Sequence, residues 1–229
     1  MTSLNHITHI THITHITHVT RARPGAILRS LLLALVAATT LSACAPLLIG
    51  GAILGGSLVV TDRRTSGTQI DDQAVELKSI RRITDVIGDR GHVNVTSYNR
   101  LVLITGEVPT EADKAAVEQA VARIDNVRSI VNELTLAAPS SLSARSNDTL
   151  LTSKVKASMV DAKDIQANAF KVVTERSVVY LMGRVTEREA GRAADVSRGV
   201  SGVQKVVKVF EVVSEGELSD TQPKAVAKP

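Results

Sequence analysis

Two similar stretches of sequence decide the fold, LVLITGEVPTE at residues 101–111 and VVYLMGRVTE at residues 178–187. Each runs from apolar residues to a Gly, a charged residue and a Val, and each ends in Thr-Glu; the two glycines lie 77 positions apart. Residues 127–131 and 203–207 match as well, after a gap of one position. A repeat with only two copies indicates a duplicated domain and not a solenoid.

Each copy is predicted to fold in the order helix, strand, strand, helix, strand. In the first copy, helical spacing of Val75, Ile80, Ile83 and Val86 predicts a helix over residues 72–86, and alternation around Val93 and Val95 predicts a strand. The remaining predicted elements are strand 101–105, a helix from Thr110, strand 127–136, helix 148–160, strands 169–174 and 178–182, helix 187–199 and strand 203–213. The predicted class is α+β, with two helices on one face of a three-stranded mixed sheet in each copy.

This order of elements, with Gly at the end of the second strand and Val two residues later, resembles the BON domain. Three segments carry the closer resemblance, to dual-BON outer-membrane lipoproteins of the DolP type: GTQIDD at residues 67–72, SNDT at 146–149 and LMGRVTEREA at 181–190. The predicted domains are residues 71–137 and 147–214, joined by a linker at 138–146. The resemblance implies a role in envelope integrity, binding of anionic phospholipid by the second domain, and recruitment to the cell-division site.

The N-terminal region predicts a lipidated secreted protein. Three arginines precede a short apolar run at residues 31–38, and small residues follow it; this arrangement is typical of a signal peptide. Leu41-Ser42-Ala43-Cys44 resembles the bacterial lipobox, in which the Cys is acylated and cleavage occurs in front of it. We therefore expect a signal peptide at residues 1–43 and Cys44 as the lipidated, palmitate-bearing first residue; the alternative is a buried structural Cys. By resemblance to the lipoprotein sorting rule, Ala45 rather than Asp after Cys44 implies the outer membrane, with the protein facing the periplasm.

Two further segments flank the lipidation site. His6 to His18 recur at every third position, a pattern that could bind metal. A mis-set translation start over residues 1–20 is the favoured interpretation, because these residues lie upstream of the signal peptide. Residues 44–70 are predicted to be a lipidated tether and linker, apolar and Gly-rich at 45–60. Residues 215–229 are predicted to be a disordered tail.

Composition argues against nucleic acid as a partner. Without residues 1–43 the chain has 24 basic and 23 acidic residues, so its net charge is close to zero. Aromatic residues are few, namely Tyr98, Phe170, Tyr180 and Phe210, and Trp is absent, which disfavours a base-stacking platform.

The sequence shows no catalytic constellation. After Cys44 it has one His, His92, which is predicted to lie in a turn, and no Cys for a nucleophile. Asp71-Asp72 and the pair Asp161/Asp164 could be metal ligands, but helix caps and solvated loops explain them better. We therefore predict no enzyme activity, no cofactor and no metal.

The predicted functional site is the first helix of the second domain. Residues 71–136 have a net charge of −3 and residues 147–214 a net charge of +3, so the second domain is the one attracted to anionic headgroups. The predicted phospholipid-binding residues are Leu150, Leu151, Lys154 and Lys156, with Leu151 also counted in the core stripe. The family places an aromatic residue where Leu150 stands, so binding here is expected to depend more on charge.

The predicted function is therefore a non-enzymatic outer-membrane lipoprotein that binds anionic phospholipid through its second domain. The alternative is a protein-interaction adaptor for the outer-membrane protein assembly machinery or for division-site proteins. A hydrolase, the third class considered, is disfavoured by the missing nucleophile and base.

Overall fold

The computed structural model describes residues 62–221, with side chains to Leu218. These residues belong to one compact unit, Ile53–Pro229. The predicted signal peptide, the His repeat, Cys44 and most of the tether lie outside the described residues. Within residues 62–221, no helix is both long and apolar enough to cross a membrane.

The first repeat contains two helices and one mixed sheet. Helix α1 (Ser66–Ile87) precedes the hairpin β1 (His92–Tyr98) and β2 (Leu101–Val108); helix α2 (Glu111–Ala122) and the short strands β3 (Ser129–Asn132) and β4 (Thr135–Leu136) follow. Strand β1 is antiparallel to β2, and both β3 and β4 are parallel to β2. Because β3 and β4 continue along the same side of β2, they form one strand with an interruption, as the predicted three-stranded sheet requires.

The second repeat has the same topology. It consists of helix α3 (Leu142–Asp161), strands β5 (Phe170–Glu175) and β6 (Val178–Val185), helix α4 (Glu187–Arg198) and strand β7 (Lys205–Val212). Strand β6 is central, antiparallel to β5 and parallel to β7. The predicted α+β class and the tandem arrangement are confirmed.

Each repeat has its own core between the helices and one face of the sheet. In the first repeat this core includes Val75, Val102, Ile104 and Val117. In the second it includes Val155, Val179, Leu181 and Ala193. Successive side chains of a strand point to opposite faces, so Val102 and Ile104 face the helices while Leu101 and Leu103 face the other way.

The faces of the two sheets that the helices leave uncovered pack against each other. Their shared cluster contains Tyr98 and Leu103 of the first repeat and Tyr180, Met182 and Val209 of the second, each no more than 5% exposed. The two domains are therefore joined by an apolar sheet-to-sheet interface.

The two hairpins are held by the same pair of contacts. Asp72 of α1 accepts hydrogen bonds from the backbone amides of Asn99 and Arg100, both at 2.8 Å, and Asp148 of α3 accepts from Arg176 and Ser177, both at 2.9 Å. All four turn residues have positive φ, as in the tight turns that match the twist of a hairpin. A buried carboxylate on the first helix thus fixes the turn of the hairpin in each repeat. This explains Asp72, which the metal interpretation had considered as a ligand.

The two equivalent glycines also share a role. A Cβ atom on Gly106 would lie 2.0 Å from the carbonyl oxygen of His92, and one on Gly183 would lie 2.5 Å from that of Ala169. His92 and Ala169 lie at or next to the start of the neighbouring strand in each repeat. The glycines are therefore needed because the first strand approaches the second too closely for a side chain.

Strands β2 and β6 each extend three residues beyond their predicted ends, and the larger differences from the prediction concern two helix starts and the tail. Helix α1 begins at Ser66, six residues before the predicted start, with Thr65 as its N-cap. Helix α3 begins at Leu142, within the predicted linker, because Ser141 caps it by accepting a hydrogen bond from the amide of Ala144. The predicted disordered tail is wrong for residues 215–221, which form a short helix α5 (Glu215–Thr221) with Leu218 buried.

Candidate lipid-binding surface

The outward face of α3 carries apolar residues that no other part of residues 62–221 covers. Leu142, Leu150 and Val160 are 78%, 62% and 67% exposed. Helix α3 is held on its other face by Leu151, Val155 and Met159, which are buried in the core. Exposed apolar residues along one side of a helix are typical of a surface that contacts a membrane interface or a partner.

The structure places three of the four predicted lipid-binding residues on this exposed face. Leu150, Lys154 and Lys156 are exposed, whereas Leu151 is only 3% exposed. Leu151 cannot reach a headgroup layer, so its inclusion was wrong. It lies one position after Leu150, and one step along a helix turns a side chain by about 100°.

The two lysines are available for an external anion. Among the residues that the structure describes, neither Lys154 nor Lys156 forms an ion pair within 4 Å. Nearby acidic groups are engaged elsewhere: Asp148 caps the hairpin turn, and Asp164 accepts a hydrogen bond from Arg192 at 2.7 Å. The guanidinium of Arg192 lowers the pKa of Asp164. The predicted alternative of Asp164 as a metal ligand finds no support in this contact.

A shallow groove borders Lys156 at the C-terminal end of α3. It lies between the helix and the start of strand β5 and has a volume of about 280 Å³. Its lining is mostly apolar, with one lysine: Lys156, Met159, Val160, Ala167, Asn168 and Phe170. A groove that combines an apolar floor with a cation at its edge suits an anionic amphiphile. Sequence reasoning did not identify it, because the groove exists only once the turn at residues 167–169 folds back against the end of α3.

The corresponding groove of the first domain is smaller and lacks the lysine. Its volume is about 180 Å³, and Ile80, Ile83, Thr84 and Val93 are among its lining residues. Ile80 stands where α3 has Lys156. The equivalent surfaces of the two repeats therefore differ in charge at this position.

A polar cavity of about 250 Å³ lies between the two domains. Its lining includes His92, Asn94, Arg145, Asp148 and Glu175. His92 is the first residue of strand β1. The sequence had predicted that it lies in a turn, and that prediction was wrong. Burial raises the pKa of Glu175, although the amide of Asn94 donates a hydrogen bond to it at 2.9 Å. Within residues 62–221, no group of three or more His, Cys, Asp or Glu side chains could hold a metal ion.

Comparison with known proteins identifies the family. The sequence profile of the BON domain matches residues 71–138 and 147–214. The chain belongs to the BON-domain family. The chain is 37% identical over 186 residues to outer membrane lipoprotein DolP of Haemophilus influenzae, covering 80% of this chain and 96% of that protein. This relationship supports an outer-membrane lipoprotein of the BON family, as the resemblance implied.

Other relatives are more distant. The chain is 30% identical to a 21 kDa hemolysin of Actinobacillus pleuropneumoniae over 66% of this chain and 79% of that protein. Among solved structures, the C-terminal domain of CdsD from the type III secretion system of Chlamydia trachomatis aligns with 59% of this chain and 97% of its own, at 11% identity and a TM-score of 0.26. We draw no conclusion from so low a score.

Proposed function

We propose that this protein is a non-enzymatic lipoprotein, anchored through Cys44 in the outer membrane and facing the periplasm, whose second BON domain binds anionic phospholipid. Helix α3 is the binding element. The observation that carries the proposal is that exposed Leu150 is flanked, on the solvent-exposed half of one helix, by Lys154 on one side and Lys156 on the other; neither lysine has an ion-pair partner among the described residues. The family resemblance adds a role in envelope integrity at the division site.

The expected free energy of membrane binding is the sum of two modest contributions. Each basic residue near an anionic membrane contributes about 1 kcal/mol, and insertion of an apolar side chain adds to this. Together they give a free protein a weak affinity for an anionic membrane, which co-sedimentation at a high lipid concentration can detect. With acyl chains at Cys44, binding through α3 becomes an intramolecular event, so a weak contact suffices.

Co-sedimentation of residues 61–229 with liposomes tests the proposal directly. We expect binding to phosphatidylglycerol-containing vesicles that weakens with added salt, no binding to neutral vesicles, and loss of binding in Leu150→Glu. The matched control is Leu77→Glu, because Leu77 is 66% exposed on α1 of the first domain and Leu150 is 62% exposed on α3. Equal losses in both variants, or no binding by the wild type, would contradict the proposal.

A second candidate is a protein-interaction adaptor, and one feature favours it. Helix α1 carries its own exposed apolar residues, Ile70, Leu77 and Ile80, at 60–67% exposure. In the first domain these side chains suit a protein surface of the outer-membrane assembly machinery better than a lipid surface, because that domain has a net charge of −3. Loss of function in cells with Leu77→Glu but not with Leu150→Glu would favour the adaptor.

A further inference from the structure

The chain enters the described structure through two consecutive arginines, Arg63 and Arg64, which we call the arginine clamp. Arg63 binds the second domain. Its two terminal nitrogens contact the two carboxylate oxygens of Glu189, both at 2.7 Å, and one of them also donates to the carbonyl of Arg184 at 3.0 Å. The side chains of Arg63 and Glu189 are 4% and 5% exposed. The Arg63 guanidinium lowers the pKa of Glu189, which means that the pair is ionised.

Arg64 binds the first domain. It donates to Asp72 at 2.8 Å, and its guanidinium lies 4.3 Å from the centre of the Tyr98 ring. Asp72 fixes the β1–β2 turn, and Tyr98 belongs to the apolar interface between the sheets. Two neighbouring residues therefore hold the incoming chain to both domains at once.

The clamp determines where the tether leaves the folded body. Helix α1 of the first domain begins at Ser66, with Thr65 as its cap, so a chain without the clamp would leave from the first domain. Arg63 instead lies on the second domain, where it also reaches Gln166 at 3.4 Å. Gln166 is followed by Ala167, which lines the groove beside Lys156 and Val160. The clamp therefore holds the chain at Arg63 near the edge of the groove at the end of α3.

Stability is a poor explanation for this ion pair. Desolvation of a buried arginine and glutamate offsets much of their attraction, and apolar residues of similar size often stabilise a fold as well. Arg63 Nε is also buried with no hydrogen-bond partner among the described residues, which adds to that cost. A bidentate arginine–carboxylate pair instead fixes the two side chains in a single relative orientation.

We propose that Arg63 is a positioning residue for membrane binding: by joining the tether to Glu189, it holds the exit point beside the groove and directs the exposed face of α3 toward the membrane in which the protein is anchored. This inference rests on the proposed lipid contact of α3. Release of Arg63 would leave the anchor and α3 intact. It would lower the effective concentration of α3 at the lipid surface, which depends on how the linker spans the two sites.

The test uses the full acylated chain reconstituted in vesicles. The natural sequence has no Trp, so Val160→Trp on the rim of the groove provides a single fluorescent probe. The vesicles contain phosphatidylcholine with brominated acyl chains and a minor fraction of phosphatidylglycerol. Bromine quenches the probe only when α3 reaches the lipid interface. In the protein whose only change is Val160→Trp, we expect strong quenching. When Arg63→Gln is added, we expect the quenching to be weaker by a factor of about three or more.

The matched control is Arg128→Gln. Arg128 also forms an ion pair between the domains, with Glu211 at 3.1 Å, but it is not part of the clamp. The Arg128→Gln variant should leave quenching unchanged. Arg63→Lys keeps the charge without the bidentate geometry and should quench to an intermediate extent, which also provides a reading if Arg63→Gln does not fold.

The outcomes separate the two proposals. Equal quenching in the Arg63 variants and the Arg128 control would overturn the positioning role and leave lipid binding by α3 in place. An unquenched probe in the protein with an intact clamp would overturn lipid contact at α3, and with it the positioning role.

Discussion

The two BON domains of this chain share a backbone but differ in their outward surfaces. In both, an aspartate on the first helix holds the hairpin turn, and a glycine on the central strand admits the neighbouring backbone. The first helices differ on their solvent face: α1 has Ile80 where α3 has Lys156, and the two domains have opposite net charges. The duplication has kept the residues that the backbone geometry requires, while the exposed residues have changed.

The largest expected effect separates the two glycines. Gly106 has a φ of +116°, whereas Gly183 does not have a positive φ. Gly106→Ala combines backbone strain with a Cβ placed 2.0 Å from a carbonyl oxygen, so we expect it to lower the free energy of unfolding by about 3 kcal/mol or more. Gly183→Ala lacks the strain and should cost about 1–2 kcal/mol. Urea denaturation measures both.

The control for the glycine pair is Gly191→Ala. Gly191 lies in helix α4, and a Cβ atom there would meet nothing within 4 Å. It should stabilise the protein by about 0.5–1 kcal/mol, because Ala favours a helix over Gly. If Gly106→Ala and Gly183→Ala proved equally costly, the positive φ would not distinguish the two sites.

The two turn-capping aspartates should differ by a smaller amount. Asp72 accepts from Ser97 and Arg64 in addition to the turn amides, whereas within residues 62–221 Asp148 accepts from the turn amides alone. Asp72→Asn leaves Arg64 without one of its partners and should cost about 2–3 kcal/mol; Asp148→Asn should cost about 1–2 kcal/mol. Equal costs would mean that Arg64 contributes nothing to Asp72.

The stability that Asp72 contributes should depend on pH. Burial would raise the pKa of Asp72, but hydrogen bonds from Ser97, the turn amides and Arg64 outweigh it, so the pKa lies below its usual value of 3.8. A depressed pKa contributes stability that is present above pH 3.8 and is lost as the pH falls through the folded-state value. The gap between wild type and Asp72→Asn should therefore be constant near neutral pH and narrow in acid.

The sequence predicted the parts of this comparison that are local or repeated. Alternation and the shared Gly-x-Val pattern located the strands, and Thr110 and Thr186 were correctly placed at helix starts, where each caps a helix. Helical spacing could not distinguish a core residue from a surface one: Ile80 and Val86 fit the stripe, yet they are 60% and 40% exposed.

Long-range contacts could not be predicted from the sequence. Leu103 and Val102 are both apolar, which indicates a strand buried on both faces but does not identify what covers the second face. Arg63 and Glu189 are 126 positions apart, and no local pattern relates them. The sequence thus predicted that Leu150, Lys154 and Lys156 lie outside the core, and the structure shows them exposed, whereas the groove and the clamp could be found only from the fold.

The smallest expected effect concerns two glutamates that each accept one asparagine hydrogen bond of 2.9 Å, Glu175 from Asn94 and Glu118 from Asn132. Glu175 is buried between the domains, and burial raises its pKa above the usual value of 4.5; Glu118 is exposed. A raised carboxyl pKa contributes stability that is present below pH 4.5 and is lost as the pH rises through the folded-state value. Glu175→Gln, which is neutral and keeps an acceptor for Asn94, should therefore raise the melting temperature near pH 7 and have little effect below pH 4.5. Glu118→Gln is the matched control, because it removes an equivalent hydrogen-bonded glutamate at an exposed position. If thermal melts at a series of pH values gave the same profile for both variants, burial between the domains would not be the reason that the charge of Glu175 destabilises the protein.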